Sequence, residues 1–377
     1  MRGKSVLGCL VVSVLLVLGS PAVWAGRFAD VFGMALETDL AGIRVFTVDA
    51  GGEAERCGLK VGDKVLRLGD HKVLEGWDLM ARIDGMGPEV PLTVGRGEKR
   101  LTVALERPRL PGRIVFRSDR SGPCELWRMN ADGTDVRQLT RHGLEPRGAV
   151  WSPDGKRIAF EWCVPYWDIW IMDENGRNLK QLTRFPDAEV RPRWSPDGKS
   201  VYFLSYQWGG TAIGRVNLQM MEQQKVVRIS DTPGAAPWRY PIYALSPDGK
   251  TLAFPLQTPQ GWKLHFANAD GTNVRPVPQP GEQIAIDWSP DGHRLLWAEG
   301  TTYRYWDLER EKVGEFALQP HGWAMFAPDS RSVVFERQPR DGEKNDIYVA
   351  DLHGQVVHRL TYHPADDMWA DWWAPRG

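Results

Sequence analysis

One short phrase recurs through the second two-thirds of this chain. It reads WSPDGK at Trp151–Lys156 and WSPDGKS at Trp194–Ser200, then LSPDGKT from Leu245 and WSPDGHR from Trp288. It returns once more as FAPDSRS from Phe326, and a cut-off WAPRG begins at Trp373. Successive anchors lie 43, 51, 43, 38 and 47 residues apart. A period of about 40–50 residues is that of a four-stranded propeller blade. The text between anchors agrees. RIAF, SVYF, TLAF, RLLW or SVVF follows the phrase, and DIWIMD, KLHFANAD or DIYVAD comes next. In the better-kept repeats an ENG or DGT turn then leads to a segment ending QLT or RLT. β-branched and aromatic runs bounded by Gly and Asp are written for strand, turn and strand.

The letters of the phrase have mechanical reasons. In Ser-Pro-Asp-Gly the Pro pre-sets φ at the second position of a type I turn and the Gly closes it. The later Asp-Gly and Asn-Gly pairs suit hairpin turns. The NADGT run lacks the acidic ligands and terminal Glu of a calcium loop. Eighteen Trp residues need placing, and the anchor Trp is expected between neighbouring blades. Burying one indole, about 150–250 Å² at about 25 cal/mol/Å², is an upper estimate of some 4–6 kcal/mol.

The first repeat, GRIVFRSD…CELWRMNADGTDVRQLT, has no anchor strand before it, and the last, DMWADWWAPRG, is an anchor strand with nothing after it. Joined, they complete one blade. The expectation is therefore a six-bladed ring closed by Trp369–Pro375, which leaves no exposed sheet edge at the seam. The repeat over 201–245 is the longest.

WSPDGK, IWIMDENGRNLKQLT and ELWRMNADGTDVRQLT resemble the TolB-like propeller repeats of bacterial exported proteins, over about 112–377. That resemblance implies the fold. For function it implies a range, since such propellers serve as docking platforms, substrate gates and carbohydrate or peptide binders.

Residues 27–108 are written differently. GIRVFTVDAGGEAERCGLKVGDKVLRLGDHKV resembles the core of a PDZ domain of the bacterial protease-associated type. Cys57 stands where that family often has Ala, and Val61 where it often has Pro. The fold class expected is thus mainly β, a PDZ domain (a small β-barrel with helices) over 27–108, a linker over 109–113 and the propeller over 114–377. PDZ domains add an extended peptide as a strand and capture its terminal carboxylate on backbone N–H groups. The resemblance places that capture loop at Phe32, Gly33, Met34 and Ala35. Leu79 and Ile83, four apart on a helix, would face the same groove. A module that only packs on the propeller is the other reading.

The first 25 residues form a leader. Arg2 and Lys4 precede an apolar run from Val6 to Leu18, then Pro21 and AVWAG. Small residues at Val23 and Ala25 suit signal cleavage before Gly26. The run is short for a membrane span of about 20 residues. Cleavage removes two cations and takes the charge from −1 to −3. The expected location is periplasmic or secreted, with no membrane span after cleavage. Export to an oxidising compartment permits one bridge, Cys124–Cys163, with Cys57 left over; three buried thiols are the alternative.

A near-neutral charge gives no reason to expect nucleic acid. There is no G-x-S-x-G elbow and no H-E-x-x-H. His353, His358 and His363 lie five apart, so successive ones alternate faces of a strand. No catalytic residue, metal site or cofactor is expected. The segments ahead of the anchors bring Arg147, Glu189, Arg191, Tyr240, Gln283 and His321 to the propeller mouth. Their mixed chemistry suits recognition better than one reaction. The leading reading is a noncatalytic protein with a C-terminal peptide at the PDZ groove and an envelope protein at the propeller. The alternative is a propeller enzyme, a hydrolase or lyase, or an accessory subunit of an envelope protease.

Overall fold

The recurring phrase folds as the same loop each time. The Gly155 N–H donates to the Ser152 carbonyl at 2.8 Å, the i to i+3 bond of the expected turn. Ser152 Oγ donates to Asp154 Oδ1 at 2.6 Å, and the pairs Ser195–Asp197, Ser246–Asp248 and Ser289–Asp291 repeat that distance. The same Ser oxygen accepts the Arg157 N–H at 2.9 Å, so one side chain ties the turn to the strand after it. Gly155 has φ of 65° and Gly292 of 80°, which is why the fourth letter is glycine.

The computed structural model describes residues 34–39, 42–48, 53–73, 86–107, 109–231, 243–277, 284–299, 302–316, 323–338, 344–353 and 357–375, with Phe32, Leu79, Arg82 and Ile83. The leader expected from sequence lies outside the described residues. No described helix is long and apolar enough to cross a membrane.

The chain is mainly β. Its N-terminal sheet holds β1 (Met34–Asp39), β2 (Gly42–Val48), β3 (Lys64–Leu68), β4 (His71–Lys72), β5 (Glu89–Arg96) and β6 (Lys99–Glu106), with a short helix α1 (Glu53–Arg56). The order is β1-β2-β3-β5-β6, with β4 on β3. Its loops are pinned by Asp63, which accepts the Lys60 N–H at 2.9 Å and the Arg96 guanidinium at 2.6 and 2.7 Å.

The remainder forms six four-stranded antiparallel sheets among the described residues. The first complete one in sequence is β10 (Arg147–Trp151), β11 (Arg157–Cys163), β12 (Trp167–Asp173) and β13 (Lys180–Gln181). Next come β14 (Glu189–Trp194), β15 (Ser200–Ser205), β16 (Thr211–Asn217) and β17 (Gln223–Ser230), then β18 (Ala244–Leu245), β19 (Thr251–Thr258), β20 (Gly261–Asn268) and β21 (Arg275–Pro276). After these stand β22 (Ile284–Trp288), β23 (Arg294–Glu299), β24 (Thr302–Asp307) and β25 (Lys312–Glu315). The fifth is β26 (Ala324–Phe326), β27 (Ser332–Arg337), β28 (Asp346–Asp351) and β29 (Val357–Arg359). The last sheet joins the two ends of the repeat region, with β30 (Asp367–Trp373) beside β7 (Arg113–Ser118), β8 (Glu125–Asn130) and β9 (Arg137–Gln138). Each sheet touches the next, and the sheet of β30 touches that of β10, so the ring closes.

Register corrects one detail of the closing strand. Trp151 pairs with Ile158, the second residue of β11, and Trp372 pairs with Ile114, the second residue of β7. The structural counterpart of the anchor Trp is therefore Trp372, one residue before the expected Trp373. Trp373 instead reaches into the next sheet, where its indole N–H donates to the Pro153 carbonyl at 3.0 Å.

Neighbouring sheets are clamped by an indole at one junction and by a repeated arginine at three. Trp194 Nε1 donates to the Val150 carbonyl of the preceding sheet at 3.2 Å. Arg113, Arg157 and Arg294 each open the second strand of a sheet and donate to the turn of the following one, at Gly155 (3.3 Å), Gly198 (3.1 Å) and Ser330 (3.2 Å). The N-terminal sheet docks on this ring through Tyr362, which is buried in a core with Phe32, Leu68, Leu79 and Val90. Arg107 lies across the join. It donates to the Ile83 carbonyl on one side and to the Asp132 carbonyl on the other, with its guanidinium 6.0 Å from the Tyr362 ring centre.

The turn geometry makes a graded prediction. A Cβ on Gly292 meets nothing within 4 Å, whereas one on Gly155 falls 2.4 Å from the Trp373 ring. Gly292→Ala should cost only the left-handed strain, about 1 kcal/mol, and Gly155→Ala about 2–3 kcal/mol. Chemical denaturation of both variants checks this; equal losses would show that Trp373 is not packed on the first turn.

Candidate functional site

In four of the six sheets the first strand carries an irregularity that organises the middle of the ring. Register shifts interrupt β10 between Arg147 and Val150, β14 between Val190 and Arg193, β22 between Ile284 and Ile286, and β30 between Met368 and Asp371. Gly148, Arg191 and Trp369 occupy the matching bulge position with φ of 59°, 60° and 54°. A bulge leaves backbone N–H groups without ladder partners. Buried carboxylates from the preceding sheet take up two of them, at Arg191 and Trp369, and hold the anchor N–H groups of two other sheets in the same way. Glu161 Oε1 accepts the Arg191 N–H at 2.8 Å, and Glu336 Oε2 accepts the Trp369 N–H at 3.1 Å. Asp287 Oδ2 accepts the Phe326 N–H at 2.8 Å, and Asp371 Oδ2 accepts the Trp151 N–H at 2.7 Å. Burial pushes Glu336 up to about 7 and Asp371 up to about 6, and raises Asp287 in the same direction.

The residue just before each anchor forms one tier: Val150, Arg193, Ala244, Asp287, Met325 and, in the closing strand, Asp371. Five of these six line a cavity of about 230 Å³. Its walls are the indoles of Trp151, Trp194, Trp372 and Trp373 and the prolines of the repeated turns. Arg193 Nη2 stands 3.8 Å from Asp287 Oδ1, and Arg193 Nη1 stands 3.8 Å from Met325 Sδ. Nothing in the spacing of the repeat marked this tier. Reading the position ahead of each anchor as a column (V, R, A, D, M) could have found five of its members, and the sixth, Asp371, follows only from the register of β30.

The mouth residues expected from sequence separate into two groups. Arg147 and Arg191 meet at Glu161, which takes the Arg147 guanidinium at 3.5 Å as well as the Arg191 N–H. The Arg147 guanidinium also lies 3.5 Å from the Trp167 ring centre, and burial lowers its pKa. The Arg191 guanidinium is 5.8 Å from the Trp323 ring centre. Glu189 does not join them. It is fully buried at the start of β14, takes a 2.8 Å bond from Ser205 Oγ, and has its other oxygen without a hydrogen-bond partner. Tyr240, Gln283 and His321 lie outside the described residues.

In the N-terminal sheet, Phe32, Met34 and Ile83 are 0% exposed and Leu79 is 1% exposed. They pack with Val90, Leu92 and Leu105 in the core of the module, so their side chains fill the interior. Ala35 lies in β1, and Gly33 is outside the described residues. The cysteine pairing is a correction. Cys57, Cys124 and Cys163 are all free thiols. Cys124 precedes β8 in the closing sheet while Cys163 ends β11 in the next sheet, its Sγ 3.6 Å from the Pro165 carbonyl, so the two thiols face different partners. Among the described residues no group of three or more His, Cys, Asp or Glu is arranged to hold a metal ion.

Glu189 gives a pH prediction. Burial pushes its carboxyl from 4.5 up to about 8. The folded form therefore keeps a proton that the unfolded chain has released. Its contribution to stability is complete below about pH 4.5 and is lost as pH rises through about 8. Glu189→Gln keeps an acceptor for Ser205 and cannot ionise. The variant should gain on the parent by no more than about 1.4 kcal/mol per pH unit across that window and level off above it. Denaturation series at pH 5, 7 and 9 measure this; a constant difference would show that Glu189 titrates as an ordinary carboxylate.

No protein-family model matches the chain, and no curated protein matches it. Solved structures do. TolB from Acinetobacter baumannii is 18% identical, covers 78% of this chain and 81% of its own, and superposes with a TM-score of 0.60. Kuenenia stuttgartiensis hydrazine synthase is 13% identical over 72% of this chain and 48% of its own, with a TM-score of 0.56. A chain of a nidogen/laminin complex is 9% identical over 69% of this chain and 97% of its own, with a TM-score of 0.53. At these identities the likeness is one of fold, and the fold is a TolB-like β-propeller.

Proposed function

We propose that this chain is an exported, noncatalytic docking protein of the cell envelope. In this reading its six sheets act as the blades of a rigid platform, and its N-terminal module is a PDZ domain that takes a peptide C-terminus. The observation that carries the peptide reading is the position of β1. It is an end strand of the N-terminal sheet, paired with β2 alone among the described residues, and it begins inside the Phe32–Ala35 segment, at Met34. An open edge of this kind is the template for adding a peptide as a further strand. The buried Phe32, Met34, Leu79 and Ile83 make affinity rest on main-chain bonds and carboxylate capture more than on a deep side-chain pocket.

Two further observations support docking by the whole molecule. Tyr362 and Arg107 hold the module against the ring, so a partner bound at β1 has its body near the propeller. A cavity of about 230 Å³ is below the usual size of small-molecule sites, about 300–1,000 Å³, and suits one inserted side chain or chain end. An enzyme is the second reading, favoured by the raised Asp287 and Asp371 in that cavity. Each of them, however, already spends one oxygen on a backbone N–H of the next sheet, which gives it a structural role.

The test compares one C-terminal peptide in two forms, with a free carboxylate and with a terminal amide, against the full chain. Amidation should weaken binding at least tenfold, and Gly33→Trp should do the same to the free form. Equal binding of the two forms would sink the strand-addition reading.

A further inference from the structure

The axial cavity has a charge imbalance that its structural bonds leave unexplained. Its charged lining residues are Asp287, Asp371 and Arg193, two carboxylates and one guanidinium. The guanidinium makes one long ion pair, with Asp287. Its nearest approach to Asp287 is 3.8 Å, beyond hydrogen-bond length, and Nη2 is buried with no hydrogen-bond partner. Each carboxylate commits Oδ2 to the neighbouring sheet. Asp287 also takes the Trp288 N–H and faces Arg193 through Oδ1, whereas Asp371 is held by the Trp151 N–H alone among the described residues. The wall around them is apolar and aromatic, built from four indoles and the turn prolines. Indole faces attract cations and shelter a hydrocarbon stem.

We propose that this cavity is a cation-accepting subsite, in which Asp287 and Asp371 receive the ammonium group of an inserted peptide, carried on a lysine side chain or a free N-terminus. An ammonium brings a donor for Asp371 Oδ1, competes with the long Arg193 contact at Asp287 Oδ1, and cancels the formal negative charge that the lining holds when both acids are ionised. Arg193 then opposes the ligand. Its charge competes for the same carboxylates and limits affinity. The inference names the chemistry of one of the two docking surfaces proposed above and rests on that reading only for the peptide as carrier of the amine.

The experiment titrates the full chain with n-butylammonium and with butyrate, read by the fluorescence of the wall indoles and by saturation-transfer NMR. A single small cation should bind saturably at millimolar concentration, and butyrate should not. Asp287→Asn and Asp371→Asn keep an oxygen for the backbone N–H and remove the charge; each should weaken butylammonium at least tenfold. Arg193→Met should strengthen it at least twofold, the opposite of what an anion site would show. Nα-acetyl-lysine amide and leucinamide then separate the side-chain amine from the terminal amine. Butyrate binding as tight as butylammonium, parental affinity in both Asn variants, or no saturation at about 50 mM (a free energy near −2 kcal/mol) would each overturn the proposal. Were the Asn variants to misfold, the butylammonium-to-butyrate preference of the unaltered chain still decides it. Retained binding of a free-carboxylate peptide at β1 alongside a negative result here would leave the strand-addition reading standing.

Discussion

The ring depends on one antiparallel pairing, between β30 and β7. Those strands come from opposite ends of the repeat region, and Trp372 and Trp373 meet Ile114 and Arg113 across the seam. Until they pair, β7 is an open edge and the sheets at the two ends of the series each lean on a single neighbour. Once they pair, no sheet is terminal, and every clamp between sheets works in both directions around the circle. Arg113 shows the gain: it reaches the Gly155 carbonyl while its guanidinium sits 5.0 Å from the Trp373 ring centre, so strand, turn and closing indole are fastened together.

Closing the ring imposes a polar problem at its middle. Six first strands converge there, and bulges at Gly148, Arg191 and Trp369 turn backbone N–H groups out of their ladders. Glu161 and Glu336 of the preceding sheets take up the N–H groups of Arg191 and Trp369, and Asp287 and Asp371 hold the anchor N–H groups of Phe326 and Trp151 in the same manner. The raised pKa values of Glu336, Asp287 and Asp371 are therefore a by-product of how the sheets are joined. They are weak evidence for catalysis and good evidence for a rigid axis. The cavity bounded by Arg193, Asp287 and Asp371 differs because part of each carboxylate there is left over after the joining is done.

The join between the N-terminal sheet and the ring has a similar economy. Tyr362 belongs by sequence to the last repeat and by packing to the N-terminal core. Arg107, at the end of that module, reaches the Asp132 carbonyl in a hairpin turn of the closing sheet. Two side chains thus convert a short connection into a fixed relation, which is what a molecule needs if two weak contacts are to act on one partner.

Much of this was legible in the sequence. A period of 38 to 51 residues between anchors, with Ser-Pro-Asp-Gly turns and alternating strands, specifies four-stranded units whatever surrounds them, because turn geometry and strand alternation are local properties. The complementary fragments at the two ends specified closure for the same reason. The N-terminal hydrophobes were legible as a set, but whether Phe32 and Ile83 face a groove or an interior is decided by what packs over them. Tertiary structure alone decided three things. It put Trp372 in the anchor place by bulging β30, parted Cys124 from Cys163 by placing them on neighbouring sheets, and gathered Arg193, Asp287 and Asp371 around one cavity. Those residues are up to 178 positions apart. Only the curvature of a closed ring brings them together, since proximity at an axis depends on where every other strand lies.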